Sequence, residues 1–156
     1  MAKELQVGDK APDFNLPGDG GAKVALKSFK GKPVVLYFYP KDDTSGCTKE
    51  AIDFTARLKD FAKAGCGVVG CSKDSVAAHD KFKQKHKLGV TLASDEDGKV
   101  CEAYGVWVEK SMYGRKYMGI ERATFLIGGD GKIAQVWRKV KVPGHVDEVL
   151  KSLKSL

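Results

Sequence analysis

Four cysteines and three histidines are the side chains of this sequence best suited to nucleophilic or metal chemistry. Cys47, Cys66, Cys71 and Cys101 contain no CxxC pair, and His79, His86 and His145 complete no zinc pattern with them. His79 and His86 lie seven residues apart on one helix face; without a third ligand they read as a solvated face rather than a metal site. "SDEDGK" (94–99) lacks the spacing and closing glutamate of a calcium loop and reads as a turn. What remains is thiol chemistry, and the cysteines divide unequally. Cys66, Cys71 and Cys101 fit small buried hydrophobes. Cys47 stands in "YFYPKDDTSGCTKEAI", after an apolar run and at the start of a charged, helix-like segment.

That position favours a thiolate, the nucleophilic form of cysteine, because a helix N-terminus presents unpaired N–H groups and the positive end of its dipole. Asp43, Thr44 or Ser45 can cap the helix, which places Cys47 in its first turn. Gly46 lets other atoms approach the backbone beside the sulfur. Ala51, Phe54, Leu58, Phe61 and Ala62 form an apolar stripe with Cys47 at its side, so the thiol is expected to be sheltered. A buried first-turn cysteine with no chemistry satisfies the same spacing.

The elements that must hold Cys47 follow from the apolar pattern. "APDFNLPGDGGAKVALKSF" reads as an opening segment and small hairpin turning at "PGDGG". "KPVVLYFY" (32–39) is a continuous apolar run expected of a strand covered on both faces. Residues 45–64 read as a helix, 66–72 as a strand, 75–86 as a helix capped by Ser72, Asp74 or Ser75, 90–95 as a strand and 98–106 as a short helix. Residues 122–139 form a hairpin around "GGDG", and "GHVDEVLKSLKSL" an amphipathic closing helix. This order predicts an α/β three-layer sandwich of thioredoxin-like layout, with a mixed central sheet flanked by helices, as one domain over residues 1–156. Ligands of such sheets gather where parallel strands run into helices, which is where Cys47 lies.

Composition excludes other classes. The net charge of +7, from 27 basic and 20 acidic residues, is spread along the chain. Only "GRK" (114–116) and "WRKVK" (137–141) are local basic groups, so nucleic-acid binding is not expected. The longest apolar run, "VVLYFY", is too short to cross a membrane, and "MAKELQVGDKAPDF" carries no secretion signal. A cytoplasmic protein with free thiols is expected.

The segment "PKDDTSGC" fits P-x-x-x-T-x-x-C and resembles the peroxiredoxin active-site motif. "YFYPKDDTSGCTKEA" is similar to the bacterioferritin-comigratory-protein, or PrxQ-type, subfamily, and "GDKAPDFNLP", "YGVWVEKSMYG", "GIERATFLI" and "VPGHVDEVL" extend the resemblance nearly end to end. It implies a peroxiredoxin fold and a thiol-dependent peroxidase acting on hydrogen peroxide and organic hydroperoxides. Cys47 would be the peroxidatic cysteine, Thr44 the hydroxyl that hydrogen-bonds the peroxide, Pro40 a shield against water and Arg122 the arginine beside the sulfur. The N–H groups of Gly46 and Cys47 can add donors to the substrate. For Arg122 a surface salt bridge with Glu121 or Glu102 is the plainer alternative, and for Thr44 a simple cap.

No metal, haem or flavin is expected, since the cysteine is itself the reactive centre. The partners expected are peroxides and a thiol reductant such as thioredoxin, glutaredoxin or a small thiol, with the chain a monomer or weak dimer. The pattern departs from the subfamily at the resolving cysteine: Ile52 stands five residues after Cys47, and "HDKFKQKHK" on the following helix has no cysteine. Resolution by an external thiol is the first expectation; Cys71, Cys101 or Cys66 are the internal or inter-subunit candidates. A thiol–disulfide exchanger, and a peroxide-sensing or chaperone-like binding protein, are the rival functions.

Overall fold

The computed structural model describes residues 4–156; residues 1–3, the start of the segment read as carrying no secretion signal, lie outside them. The centre of the molecule is β3 (Val34–Phe38), every residue of which is buried. Its side chains alternate with the period of two that a strand imposes. Val34, Leu36 and Phe38 enter one core, and Val35 and Tyr37 the other. The uninterrupted apolar run is the consequence of covering both faces.

β3 pairs in parallel with β4 (Gly67–Ser72) and antiparallel with β8 (Ala123–Ile127). β5 (Thr91–Ser94) extends the parallel side and β9 (Ile133–Trp137) the antiparallel side, giving the order β5-β4-β3-β8-β9. β1 (Asn15–Pro17) and β2 (Lys23–Ala25) form the expected small hairpin. One face of the sheet is covered by α1 (Ser45–Ala56), α2 (Leu58–Lys63), α3 (Val76–His86) and α5 (His145–Lys154), through Ala51, Phe54, Phe61, Phe82, Val146, Val149, Leu150 and Leu153. The other face carries the opening segment and α4 (Lys99–Ala103), through Ala11, Phe14, Val24, Val100, Cys101 and Tyr104. This is the α/β sandwich with a mixed central sheet expected from the element order.

Three local expectations are corrected. The helix read over 45–64 breaks at Arg57, whose backbone (φ −109°, ψ 6°) leaves the helical region, while its side chain binds Asp147 on α5 at 3.1 Å. The break lets Phe61 seat in the core but turns Ala62, assigned to the apolar stripe, out to solvent. The helix read over 98–106 is the shorter α4. Finally, β6 (Trp107–Met112) and β7 (Arg115–Ile120) form a hairpin not anticipated from the sequence. Its two-residue turn, Tyr113–Gly114, takes positive φ at both positions (51° and 78°), as a tight type I′ connection requires. Met112, Tyr113, Tyr117 and Met118 are exposed on it. Among the described residues no helix is long and apolar enough to cross a membrane.

Candidate active site at the start of α1

The chain leaves β3 at Phe38, and Tyr39 N–H still bonds Cys71 O (3.2 Å) before Pro40 and the loop 41–43 turn it into α1. Thr44 occupies the cap position in extended backbone (φ −87°, ψ 156°), and its carbonyl accepts the first helical bond, from Thr48 N–H at 2.8 Å. Its side chain does not cap: the hydroxyl donates to Lys41 O at 2.8 Å. Cys47 is the third helical residue and only 2% exposed. The N–H groups of Gly46 and Cys47 belong to the first turn, where an α-helix leaves its donors without intrahelical partners.

Phe54, fully buried and stacked on Tyr37 (centroids 4.5 Å apart), contributes about 2–3 kcal/mol by burial and sets the roll of α1. That roll sends Cys47, Glu50, Ala51 and Phe54 inward together, at the i, i+3, i+4, i+7 spacing of one helix face. Arg122 arrives from the other side. It precedes β8, whose Ala123 pairs with Phe38, so strand register alone delivers it to the exit of β3. Nη2 of Arg122 donates to Cys47 Sγ at 3.3 Å, and Nη1 to Glu50 Oε1 at 2.7 Å. The salt-bridge partner is therefore Glu50, neither Glu121 nor Glu102. A Cβ added to Gly46 would lie 3.0 Å from Nη2, so glycine leaves the room that the guanidinium occupies.

Glu50 is fully buried, with Oε2 lacking a hydrogen-bond partner. Burial lifts its carboxyl to about 7, although Arg122 pulls the other way. Burial would depress Arg122, but the charges of Glu50 and Cys47 carry it above its ordinary value. Lys110, on the overlooked hairpin, is lowered by burial and by Arg122, against the pull of Cys47 and Glu121. Glu50 and Lys110 are the members of this charge cluster that the sequence reading missed. A glutamate on the buried face of an amphipathic helix was the available signal, since a buried carboxylate requires a cation.

A second polar group holds the loop that bears Pro40 and Thr44. His79, expected on a solvated face, is fully buried. Its Nδ1 lies 2.7 Å from Asp42 Oδ2 and its Nε2 lies 2.9 Å from Ala93 O. Both neighbours accept, so both ring nitrogens carry protons and the ring is an imidazolium paired with Asp42. Burial opposes that charge, but the Asp42 contact raises His79 above its ordinary value. Asp42 Oδ1 also accepts from Tyr39 Oη at 2.5 Å. Asp43 adopts left-handed backbone (φ 62°), and its carboxylate is gripped by Lys85 and His86 of α3, each at 2.7 Å. Of the three candidate caps of α3, Ser75 fills the role by accepting from Ala78 N–H at 3.1 Å.

The other thiols are not gathered at Cys47. Cys66 lies at the opposite pole, beside Gly67, which bonds Pro33 O ahead of β3. The five residues of β3 intervene, about 16 Å of strand. Cys71 and Cys101 are fully buried on the far face of the sheet. Their sulfurs and the Asp95 carboxylate all lie within 4.8 Å of one another. Asp95 there accepts from Val100 N–H and Cys101 N–H, capping α4. The contact with Cys101, and then burial, raise the Cys71 thiol, while burial pushes Cys66 up to about 12.

Comparison with known proteins is consistent with this geometry. Residues 7–136 match the AhpC/TSA family. A Coxiella burnetii relative carrying the peroxiredoxin bcp name is 58% identical over 146 residues, covering 94% of this chain and 97% of that one. Peroxiredoxin Bcp of Bacillus subtilis is 49% identical over 152 residues, covering 97% of each. The bacterioferritin comigratory protein of Xanthomonas campestris, solved as trapped intermediate/ligand complexes bearing on its alkyl peroxide reduction, superposes with a TM-score of 0.89. Its identity is 46%, over 97% of this chain and 96% of that one.

Proposed function

The chain belongs to the AhpC/TSA family and is a thiol-dependent peroxidase of the peroxiredoxin Bcp/PrxQ kind; on that premise we propose that Cys47 is its peroxidatic cysteine and that an external thiol completes the cycle. The Cys47 thiolate attacks one peroxide oxygen, the O–O bond breaks, and the other oxygen leaves as hydroxide or alkoxide and takes up a proton. The products are a sulfenic acid on Cys47 and water or an alcohol. The observation that carries this reading is the Arg122 guanidinium 3.3 Å from a sheltered first-turn sulfur. A fixed cation there stabilises the thiolate and the charge that moves onto the leaving oxygen.

Thr44 holds the peroxide. Its hydroxyl hydrogen is engaged with Lys41 O, which leaves its lone pairs to accept from a peroxide O–H. The N–H groups of Gly46 and Cys47 donate to the peroxide from the helix terminus, and Pro40 keeps water from the sulfur. Hydrogen peroxide and organic hydroperoxides are the proposed substrates; alkyl peroxide reduction by the Xanthomonas campestris relative supports the latter. External resolution is supported by the placement of Cys66 at the far pole, and of Cys71 and Cys101 behind the sheet. Thioredoxin, glutaredoxin or a small thiol would supply the electrons, with residues 1–156 acting as one cytoplasmic domain, a monomer or weak dimer.

The test is one equivalent of hydrogen peroxide in the presence of a sulfenic-acid trap, followed by intact-mass and peptide mass spectrometry. One adduct, on Cys47, is expected. An adduct on another cysteine overturns the peroxidatic assignment. A disulfide from Cys47 to Cys66, Cys71 or Cys101 overturns external resolution.

A further inference from the structure

If an outside thiol reduces Cys47, it must reach a sulfur that is only 2% exposed. A groove of about 410 Å³, within the range of small-molecule sites, opens between Pro40 and the β6–β7 hairpin. Pro40 belongs both to this groove and to the loop that shelters the sulfur. The β6–β7 hairpin supplies an apolar wall from Trp107, Tyr117 and Met118, the last two 44% and 49% exposed. Three ammonium groups line it, Lys41, Lys73 and Lys110. Among the described residues none of the three makes an ion pair. Lys73 lies 4.1 Å over the Trp107 ring, held by a π face instead of a carboxylate.

The one carboxylate on the lining, Asp74, accepts through Oδ2 from Asp42 N–H (2.9 Å) and the Ser72 hydroxyl (2.6 Å), so the lining carries three cations against one anion. Ile120, on the lining at the end of β7, stands two residues before Arg122 and ties the groove to the reaction centre. Three unpaired cations around a small apolar hollow fit a molecule bearing more than one negative charge.

Resting on the external-thiol reading, we propose that this groove binds the resolving reductant and that the reductant is a low-molecular-weight thiol bearing carboxylates. The lysines receive the carboxylates and the Trp107–Met118 wall the carbon chain, which brings the sulfur in past Pro40. Its thiol attacks the sulfenic sulfur of Cys47, the S–O bond breaks, and the hydroxyl leaves as water with the thiol proton. A mixed disulfide forms on Cys47. A second molecule of the same thiol attacks it, releasing the small disulfide and returning Cys47 to the thiol.

The test compares reduced glutathione with its diethyl ester, in which both carboxylates are masked. The chain is oxidised with one equivalent of hydrogen peroxide, and loss of the sulfenic acid is followed by quenched mass spectrometry. At low ionic strength the free acid is expected to react about tenfold faster than the ester, a ratio of the size electrostatic steering gives. The ratio should fall toward one in high salt and in the K41Q/K73Q/K110Q variant, and fall partway in K110E, which leaves Lys41 and Lys73 in place. Equal rates in the unaltered chain, or a ratio that survives the triple variant, overturn the proposal. Failure of both thiols on a sulfenic acid that a protein dithiol does reduce also overturns it, and leaves external resolution standing. Conversion of the sulfenic acid to an internal disulfide without added thiol identifies failure of the external-thiol reading itself.

Discussion

Glu50→Gln isolates the energetic consequence of setting a carboxylate beside the reactive sulfur. The amide keeps an acceptor for Arg122 Nη1 and nearly the same volume, but it cannot ionise. In the folded chain the carboxyl titrates at about 7, against an ordinary 4.5. The folded state therefore holds this proton more tightly than the unfolded chain. Between about pH 4.5 and 7 it binds more protons, so its stability falls as the pH rises. Two and a half decades at about 1.4 kcal/mol each make the ionised form roughly 3 kcal/mol more costly to bury; that cost is complete above pH 7 and absent below 4.5. The other titrating groups are common to both proteins, so the stability of the variant relative to the parent should rise by about 3 kcal/mol from pH 4.5 to 8. A constant offset of about 1–3 kcal/mol arises if the new Nε2 finds no acceptor where Oε2 now has no donor, but it does not change with pH. At about 2–4 °C per kcal/mol for a chain of this size, the gap in melting temperature should change by roughly 6–12 °C. Urea midpoints for both proteins at half-unit pH intervals provide the assay. Parallel stability curves would refute the argument, because they would mean that Glu50 carries no displaced titration.

Four further outcomes follow from the same geometry. Arg122→Ala should slow the first oxidation of Cys47 by about tenfold to a thousandfold in stopped-flow kinetics, the scale of losing one preorganised charge; an unchanged rate would remove Arg122 from the site. Gly46→Ala places a Cβ 3.0 Å from Nη2, so it should slow the same step about tenfold by displacing the guanidinium while the far-ultraviolet circular dichroism stays as it was. The combined Cys66→Ser, Cys71→Ser and Cys101→Ser chain should keep most of its peroxide turnover with a small thiol, whereas Cys47→Ser should have none; a peroxide electrode decides both. His79→Gln strands Asp42, which is 8% exposed, and should cost about 3–5 kcal/mol in a denaturant midpoint at pH 6. Because the folded His79 sits above its ordinary value, the pair's contribution is complete below about pH 6.5 and is lost as the pH rises through the folded value, so the deficit should shrink in alkali.

What could be read before folding was whatever is written locally. The double-faced burial of 34–38, the turn into a helix at 43–45 and the placement of Cys47 in its first turn all follow from neighbours within a few residues. The hairpin at 107–120 escaped because its strands are charged and mostly exposed, and the Tyr113–Gly114 turn is a weak signal without apolar alternation around it. The solvated reading of His79 failed for a different reason. Its ion pair reaches back 37 residues to Asp42, and the Arg122–Glu50 pair spans 72, distances over which no periodicity carries information. Strand register delivers Arg122, and the packing of α3 delivers His79; both are properties of the assembled fold. The break at Arg57 likewise coincides with a contact to Asp147, 90 residues later.

The sheet also divides the sulfur of this chain. Cys47 lies in the core on the face packed by α1 and α5, whereas Cys71, on β4, and Cys101 lie in the core on the opposite face. Under the proposed cycle, an oxidising equivalent captured at Cys47 finds no second electron donor within the protein. It leaves in the first thiol to arrive from solution. Such a molecule is a valve and not a reservoir: it stores no oxidation between turnovers. The oxidised thiol accumulating outside should match, mole for mole, the peroxide that has vanished.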